Sequence, residues 1–146
     1  MSDKKPVILI ERTQWAIDES ALRDVRTKVF IEEQTVPESE EWDEWDSISE
    51  HFIAISTKRD VVGVGRLQPD AKITRMAVLR DWRGHRVGAM LMENMLQRAE
   101  ECGMTPWLHA QVHALDFYRR FGFVQEGEPF DEAGIAHCTM RKLKKG

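Results

Sequence analysis

Little in this chain points to covalent cross-linking: it has two cysteines, Cys102 and Cys138, among 146 residues. Two thiols do not make a disulfide framework, and the expectation is reduced cysteines in a cytoplasmic protein. No apolar run approaches the roughly 18 residues that a membrane-spanning helix needs. The opening "MSDKKPVILIERTQ" holds only a short apolar stretch with Glu11 and Arg12 behind it, which predicts no secretion signal. Excess positive charge is also missing. The 21 Lys and Arg against 25 Asp and Glu leave a net charge of −4, which argues against general nucleic-acid binding. There is no internal repeat, low-complexity tract or linker. The length therefore predicts one domain over residues 1–146.

What is present suits a globular chain. Apolar residues make up 42% and charged residues 32%, enough to bury most of the apolar surface in one core. The charge is uneven. "ESEEWDEWDSISE", Glu38 to Glu50, carries seven acidic residues and no basic one. Basic residues gather at Arg80 to Arg86, at Arg119-Arg120 and in the "RKLKKG" tail. The tail reads as solvated surface, whereas the first two clusters suit an anionic ligand.

Hydrophobic periodicity gives the element order. A first strand is expected at Val7 to Arg12. A helix capped by Asp18 or Ser20 carries Leu22, Val25, Val29 and Phe30 on one face and ends near Gln34. Pro37 and the acidic run form a loop. "HFIAIST", "VVGVGRLQ" and "KITRMAVL" read as strands. Val87, Leu91, Met95, Ala99 and Cys102 keep helical spacing, with Gly103 as the stop. "PWLHAQ" is a strand, "ALDFYRRF" a short helix ended by Gly122, and "GFVQEGE" and "AHCTMRK" a closing pair of strands. The order β-α-β-β-β-α-β-α-β-β is that of a mixed α/β domain.

The chemistry concentrates where "KITRMAVL" passes through "DWRGHRVGAMLM" into the helix. A helix start presents unpaired N–H groups and the positive end of the macrodipole, so it suits an anion. Gly84 and Gly88 allow a sharp turn and a close approach. Arg83, His85 and Arg86 add donors. A pyrophosphate fits this pattern, and so does a solvated helix cap. A second stretch, "AQVHALDFYRRFGF", follows the next strand.

Together the two stretches resemble the acetyl-CoA signature of the GNAT superfamily of N-acetyltransferases. Arg83 and Gly88 match the ends of that family's loop pattern. Phe117-Tyr118 and Gly122-Phe123 match its later aromatic and Gly-Phe pattern. The middle glycine of the loop is Arg86 here, so this position is expected to adopt a geometry that an arginine tolerates, with its side chain near a phosphate. "VFIEEQTVPESEEWDEWD", "EHFIA" and "FDEAGIAHCTM" are similar to the bacterial ElaA/YjcF-like branch, so the resemblance spans about Val29 to Arg141.

The resemblance implies a single GNAT-fold domain, a mixed central sheet flanked by helices on both faces. It implies direct transfer of acetyl from acetyl-CoA, as co-substrate, to a primary amine. Backbone N–H groups of Met76, Ala77 and Val78 would hold the oxyanion, and the pantetheine arm would lie where this strand splays from the next. Arg83, Gly84, His85, Arg86, Val87, Gly88 and Ala89 would cradle the pyrophosphate, with Gln111 and Phe117 completing the cofactor contacts. Tyr118 falls on the family's general-acid position and is the only tyrosine. A phenol near pKa ~10 can protonate a departing thiolate. The amine, titrating near ~10.4, needs a base or desolvation. Glu33 and His137 lead as bases, ahead of Glu50, His51 and His109.

Other signals carry less. His109-x-x-x-His113 lacks helical geometry, so no metal site is expected. "VGVGR" lies within a strand and is not a dinucleotide fingerprint. Trp42 and Trp45 in the acidic loop either pack the loop down or wall a pocket for a cationic amine such as a polyamine. Two alternatives to the enzyme stand beside it: a non-catalytic CoA-binding regulatory module, and an interaction domain that docks a basic partner on the acidic loop.

Overall fold

Alternating apolar residues in the first half of the chain pair as an antiparallel meander in the order β1 (Ile8–Gln14), β2 (Glu50–Ser56), β3 (Val61–Leu67), β4 (Ile73–Val78). A computed structural model describes residues 7–143; the opening residues 1–6 and the end of the basic tail, 144–146, lie outside them. β5 (Trp107–Gln111), β6 (Phe123–Glu132) and β7 (Ile135–Lys142) form a second antiparallel sheet in the order β5-β7-β6. The two sheets meet at one parallel bridge, Lys72 to Trp107, where the Trp107 amide donates to the Ala71 carbonyl at 3.2 Å. The combined sheet is therefore mixed, and beyond the bridge β4 and β5 separate.

Helices cover both faces. α1 (Trp15–Arg26) runs into a π-helical segment, Thr27–Glu33, and sets Leu22, Val25 and Val29 on Ile53, Val64 and Ala77. α3 (Val87–Glu101) sets Val87, Leu91, Met92 and Met95 on Phe52, Ala54, Leu108 and Met140 from the other side. Each buried Val, Leu, Ile, Phe or Met among them contributes about 1.5–3 kcal/mol of hydrophobic stabilisation. The glycines of "VGVGR" find their reason here. A Cβ on Gly63 would lie 2.9 Å from a Val87 methyl, and one on Gly65 would lie 2.7 Å from the Met95 methyl. They let α3 rest close against β3.

The elements differ from expectation in several places. β1 runs from Ile8 to Gln14, one residue later at its start and two later at its end than Val7 to Arg12. α1 starts at Trp15, and Asp18 (φ −122°, ψ 29°) is a kink within it. The Asp18 carboxylate accepts from the Thr13 hydroxyl at 2.6 Å instead of capping. The acidic loop contains a short helix, α2 (Glu38–Glu41). β6 passes through an irregularity between Glu126 and Phe130, with Gly127 at φ 74°, and continues to Glu132. Both cysteines are free, Cys102 exposed just after α3 and Cys138 buried on β7.

Candidate active site

β4 ends at Val78, a 3-10 turn follows at Arg80–Trp82, and α3 begins at Val87. Between them Gly84 takes φ 85°, a left-handed geometry that costs glycine nothing. Arg86 takes φ 64°, ψ 15°. The position where the family pattern has glycine is thus left-handed with an arginine in it, a geometry that costs a non-glycine residue about 1–2 kcal/mol. Its guanidinium runs back along α3 to Glu93, at 3.0 Å. This turn delivers α3 with no side-chain cap. The first amides of the helix are left as unpaired donors at the positive end of its dipole.

A cavity of about 640 Å³ opens there. Val78, Trp82, Arg83, Gly84, Arg86, Val87, Gly88, Ala89 and Glu93 line it from the β4–α3 side. Phe117, Arg120 and Phe121 line it from α4 (Leu115–Arg119) and the residues after it. A Cβ on Gly88 would stand 3.8 Å from both Phe117 and Val78, so this glycine keeps the throat between them open.

Arg83 has a second attachment. Its Nε donates to the Val78 carbonyl at 2.9 Å, and its Nη atoms form a fork on Glu33 at 3.0 and 2.9 Å. Glu33 ends the π-helical segment. The Arg83 hydrogen bonds, with Arg80 nearby, hold its carboxyl below the usual carboxylate range. A carboxylate so held is a weak base.

On β4, Val64 faces Ala77 and Arg66 faces Thr74, so Gly65 opposes both Arg75 and Met76. This is a β-bulge, and Arg75 takes φ 54° in it. Counting along both strands from the Lys72–Trp107 bridge, Gln111 comes level with the bulge across the gap. His137 faces Gln111 in the β5–β7 ladder. The Ile135 carbonyl, 2.8 Å from His137 Nδ1, can only accept, so Nδ1 carries the proton. His137 Nε2 is left 3.6 Å from Glu132, which also takes His109 at 3.0 Å. Tyr118 is half-buried, packed edge-on against Phe117 and Phe123. Burial pushes its phenol above the ordinary value.

Known proteins share this fold. Residues 16–144 match the family described as acetyltransferase (GNAT) domain. The chain belongs to the GNAT acetyltransferases. The uncharacterized N-acetyltransferase YjcF of Bacillus subtilis (strain 168) is 36% identical over 135 residues, covering 87% of this chain and 96% of that protein. The crystal structure of an acyl-CoA N-acyltransferase from Pseudomonas aeruginosa superposes with a TM-score of 0.85 at 29% identity, over 94% of this chain and 100% of that one. That of Escherichia coli ElaA superposes with a TM-score of 0.83 at 26% identity, over 94% and 100%. As a GNAT domain the protein is an acyltransferase, of a family that uses acyl-CoA.

Within this GNAT domain the expected site residues divide. Val78, Arg83, Gly84, Arg86, Val87, Gly88, Ala89 and Phe117 come together around the cavity. Met76, Ala77, His85, Gln111, Tyr118, Glu33 and His137 do not line it. Met76 and Ala77 lie at the bulge, Gln111 and His137 across the gap, and Glu33 behind Arg83. Trp82, Glu93, Arg120 and Phe121 line the cavity without having been singled out. Arg120 sat in a basic pair already suited to an anion, and Glu93 follows Arg86 by two helical turns, which places both on one face. Of the other bases, Glu50 is paired with Arg98 at 2.7 Å, and buried His51 donates from Nε2 to the Asp46 carbonyl at 2.8 Å.

The acidic loop is turned inward. Arg26 binds Glu41 at 2.9 Å and Asp46 at 2.6 Å. Arg66 binds Asp43 at 2.7 Å and Asp46 at 2.8 Å. Arg75 binds Glu41 at 3.0 Å and Asp43 at 3.2 Å. Burial opposes ionisation of Asp46, but the Arg26 guanidinium overrides it and holds the carboxyl below its usual range. Trp42 packs against Trp15, with Arg23 and Arg26 over its ring at 4.7 and 4.9 Å. Packing, not an open cationic pocket, is what this loop does. Of its acidic residues only Glu38, Glu40 and Glu44 remain exposed, so a cationic acceptor no longer follows from it.

Proposed function

We propose that the protein transfers acetyl from acetyl-CoA to a primary amine, with the pyrophosphate at the start of α3 and the thioester in the gap between β4 and β5. The observation that carries this is the uncapped N-terminus of α3 opening into a cavity flanked by Arg83, Arg86 and Arg120. Amides of Val87, Gly88 and Ala89 supply donors that no protein group takes from the side, and the arginines supply charge-assisted ones. Phe117 and Val78 form the apolar throat for the pantetheine arm. His85 and Gln111 act at the edges of the same site, on the phosphate and the acceptor side respectively.

The amine attacks the thioester carbon, the C–S bond breaks, the amine loses a proton and the thiolate gains one. Backbone donors around Met76, Ala77 and Val78 hold the oxyanion as it forms. Tyr118 is the acid. Its raised pKa keeps the phenol protonated throughout the physiological range. His137 is the better placed base, because its Nε2 is free of a backbone partner while Glu33 is committed to Arg83. A lone pair on Nε2 takes the amine proton, and Glu132 then faces an imidazolium.

The experiment is release of CoA thiol over a panel of primary amines. Turnover is expected from the wild type. Tyr118→Phe should lower kcat by roughly 10²-fold or more with CoA affinity kept. Binding of CoA with no turnover on any amine would favour the regulatory module, and no binding at all would remove the reading.

A further inference from the structure

Arg75 sits in a left-handed conformation on β4 (φ 54°) with no glycine or asparagine chemistry to favour it. Such a residue stores about 1–2 kcal/mol and persists only where its surroundings hold it. The hold is visible. Nε lies 3.0 Å from the Glu41 carboxylate, and Nη2 donates to the Glu41 carbonyl at 3.1 Å and to Asp43 at 3.2 Å. Glu41 is 3% exposed and is bound in turn by Arg26 at 2.9 Å. The guanidinium is therefore fixed on a rigid, buried partner, and not on a mobile surface carboxylate. The same residue creates the bulge that takes Met76 out of register with β3.

We propose that Arg75 is a positioning residue for acyl transfer: clamped by Glu41 and Asp43, it holds the β4 bulge so that the Met76 amide points into the gap where the thioester lies. The inference rests on the acyl-CoA reading of that gap. It also gives the acidic loop its task, which is to grip the bulge from behind. A preplaced donor is effective only within a fraction of an ångström of the developing oxyanion, and a misplacement of about 1 Å costs on the order of 10²-fold. A left-handed backbone without its clamp can relax toward an ordinary strand and carry the amide away.

Arg75→Ala tests this, because alanine keeps the strain of the left-handed φ and loses the clamp. The expected result is a folded protein with unchanged CoA affinity, a little-changed KM for acetyl-CoA, a kcat lower by roughly 10- to 100-fold, and faster amide exchange at Ala77, which pairs with Val64 beside the bulge. Arg75→Lys, which keeps the charge but not the fork, should fall between. If the alanine variant does not fold, Asp43→Asn carries the test with the same readouts. An undiminished kcat per folded molecule, or exchange at Ala77 as slow as in the wild type, overturns the proposal. Should the wild type itself transfer no acetyl group, the functional reading fails, and amide exchange at Ala77 still decides whether the clamp exists.

Discussion

Between Arg80 and Arg86 the side chains of Arg80, Arg83 and Arg86 are 75%, 44% and 64% exposed around an open cavity. In the loop from Glu41 to Asp46, both of those carboxylates are 3% exposed and held by Arg26 and Arg66, each 1% exposed. Charge density along the chain looks similar in the two places. What separates them is whether another strand or helix supplies the counter-charge. The loop has its partners built in and is thereby part of the core. The turn has few, and those it has, Glu33 and Glu93, sit at the rim. Its unspent donors are what a ligand would meet. Removing one partner from a buried network leaves a bare charge in low dielectric, whereas a rim charge is screened by water.

The comparison breaks most sharply at Asp46. Asp46→Ala should lower unfolding free energy by about 3–5 kcal/mol, because Arg26 and Arg66 lose a shared acceptor; denaturant titration reads this directly. Glu44→Gln, in the same loop but exposed, should change it by less than about 0.5 kcal/mol. Equal losses would mean the loop is not divided into buried and solvated charge.

Acid acts next. Burial holds His51 below its ordinary pKa, so the unfolded chain protonates first. The stability that neutral His51 contributes is whole above about pH 6.5 and is lost as pH falls through its lower folded value. The melting temperature should decline as pH falls below 6.5, and His51→Gln should flatten that decline.

On the turn, stability should hold while binding moves. Arg120→Ala should weaken CoA binding about tenfold, near the value of one charge-assisted contact, with the melting temperature unchanged. Smaller still, Glu33→Gln should tighten CoA by roughly two- to fivefold by releasing Arg83 from its fork. The tightening should vanish in an Arg83→Ala background. If it persists there, Glu33 repels the anion directly and the fork is irrelevant.

Much of this fold was legible because its signals are local. Val87, Leu91, Met95 and Ala99 repeat at helical spacing, the strands alternate or run apolar, and Gly84 and Gly88 punctuate the turn. The cavity was legible for the same reason, since its loop and helix start are contiguous. The inward acidic loop was not. Arg66 and Asp46 lie 20 residues apart on different elements, and nothing near either of them announces the pair. The bulge was hidden too, because an arginine gives no sign of a left-handed backbone. At Arg86 the departure from the glycine pattern pointed to a geometry an arginine tolerates, and the segment between the 3-10 turn and α3 holds it left-handed. The π-helical end of the first helix, which sets Glu33 beside Arg83, has no periodicity of its own to betray it.

The placement of the two thiols bears on how the enzyme is assayed. Cys102, exposed beyond α3, will react with any disulfide reagent used to count released CoA, adding one equivalent per chain before the first turnover. Cys102→Ser removes that offset. Cys138, buried on β7 at 1% exposure, then remains as a built-in clock: its labelling rate times how often the second sheet opens.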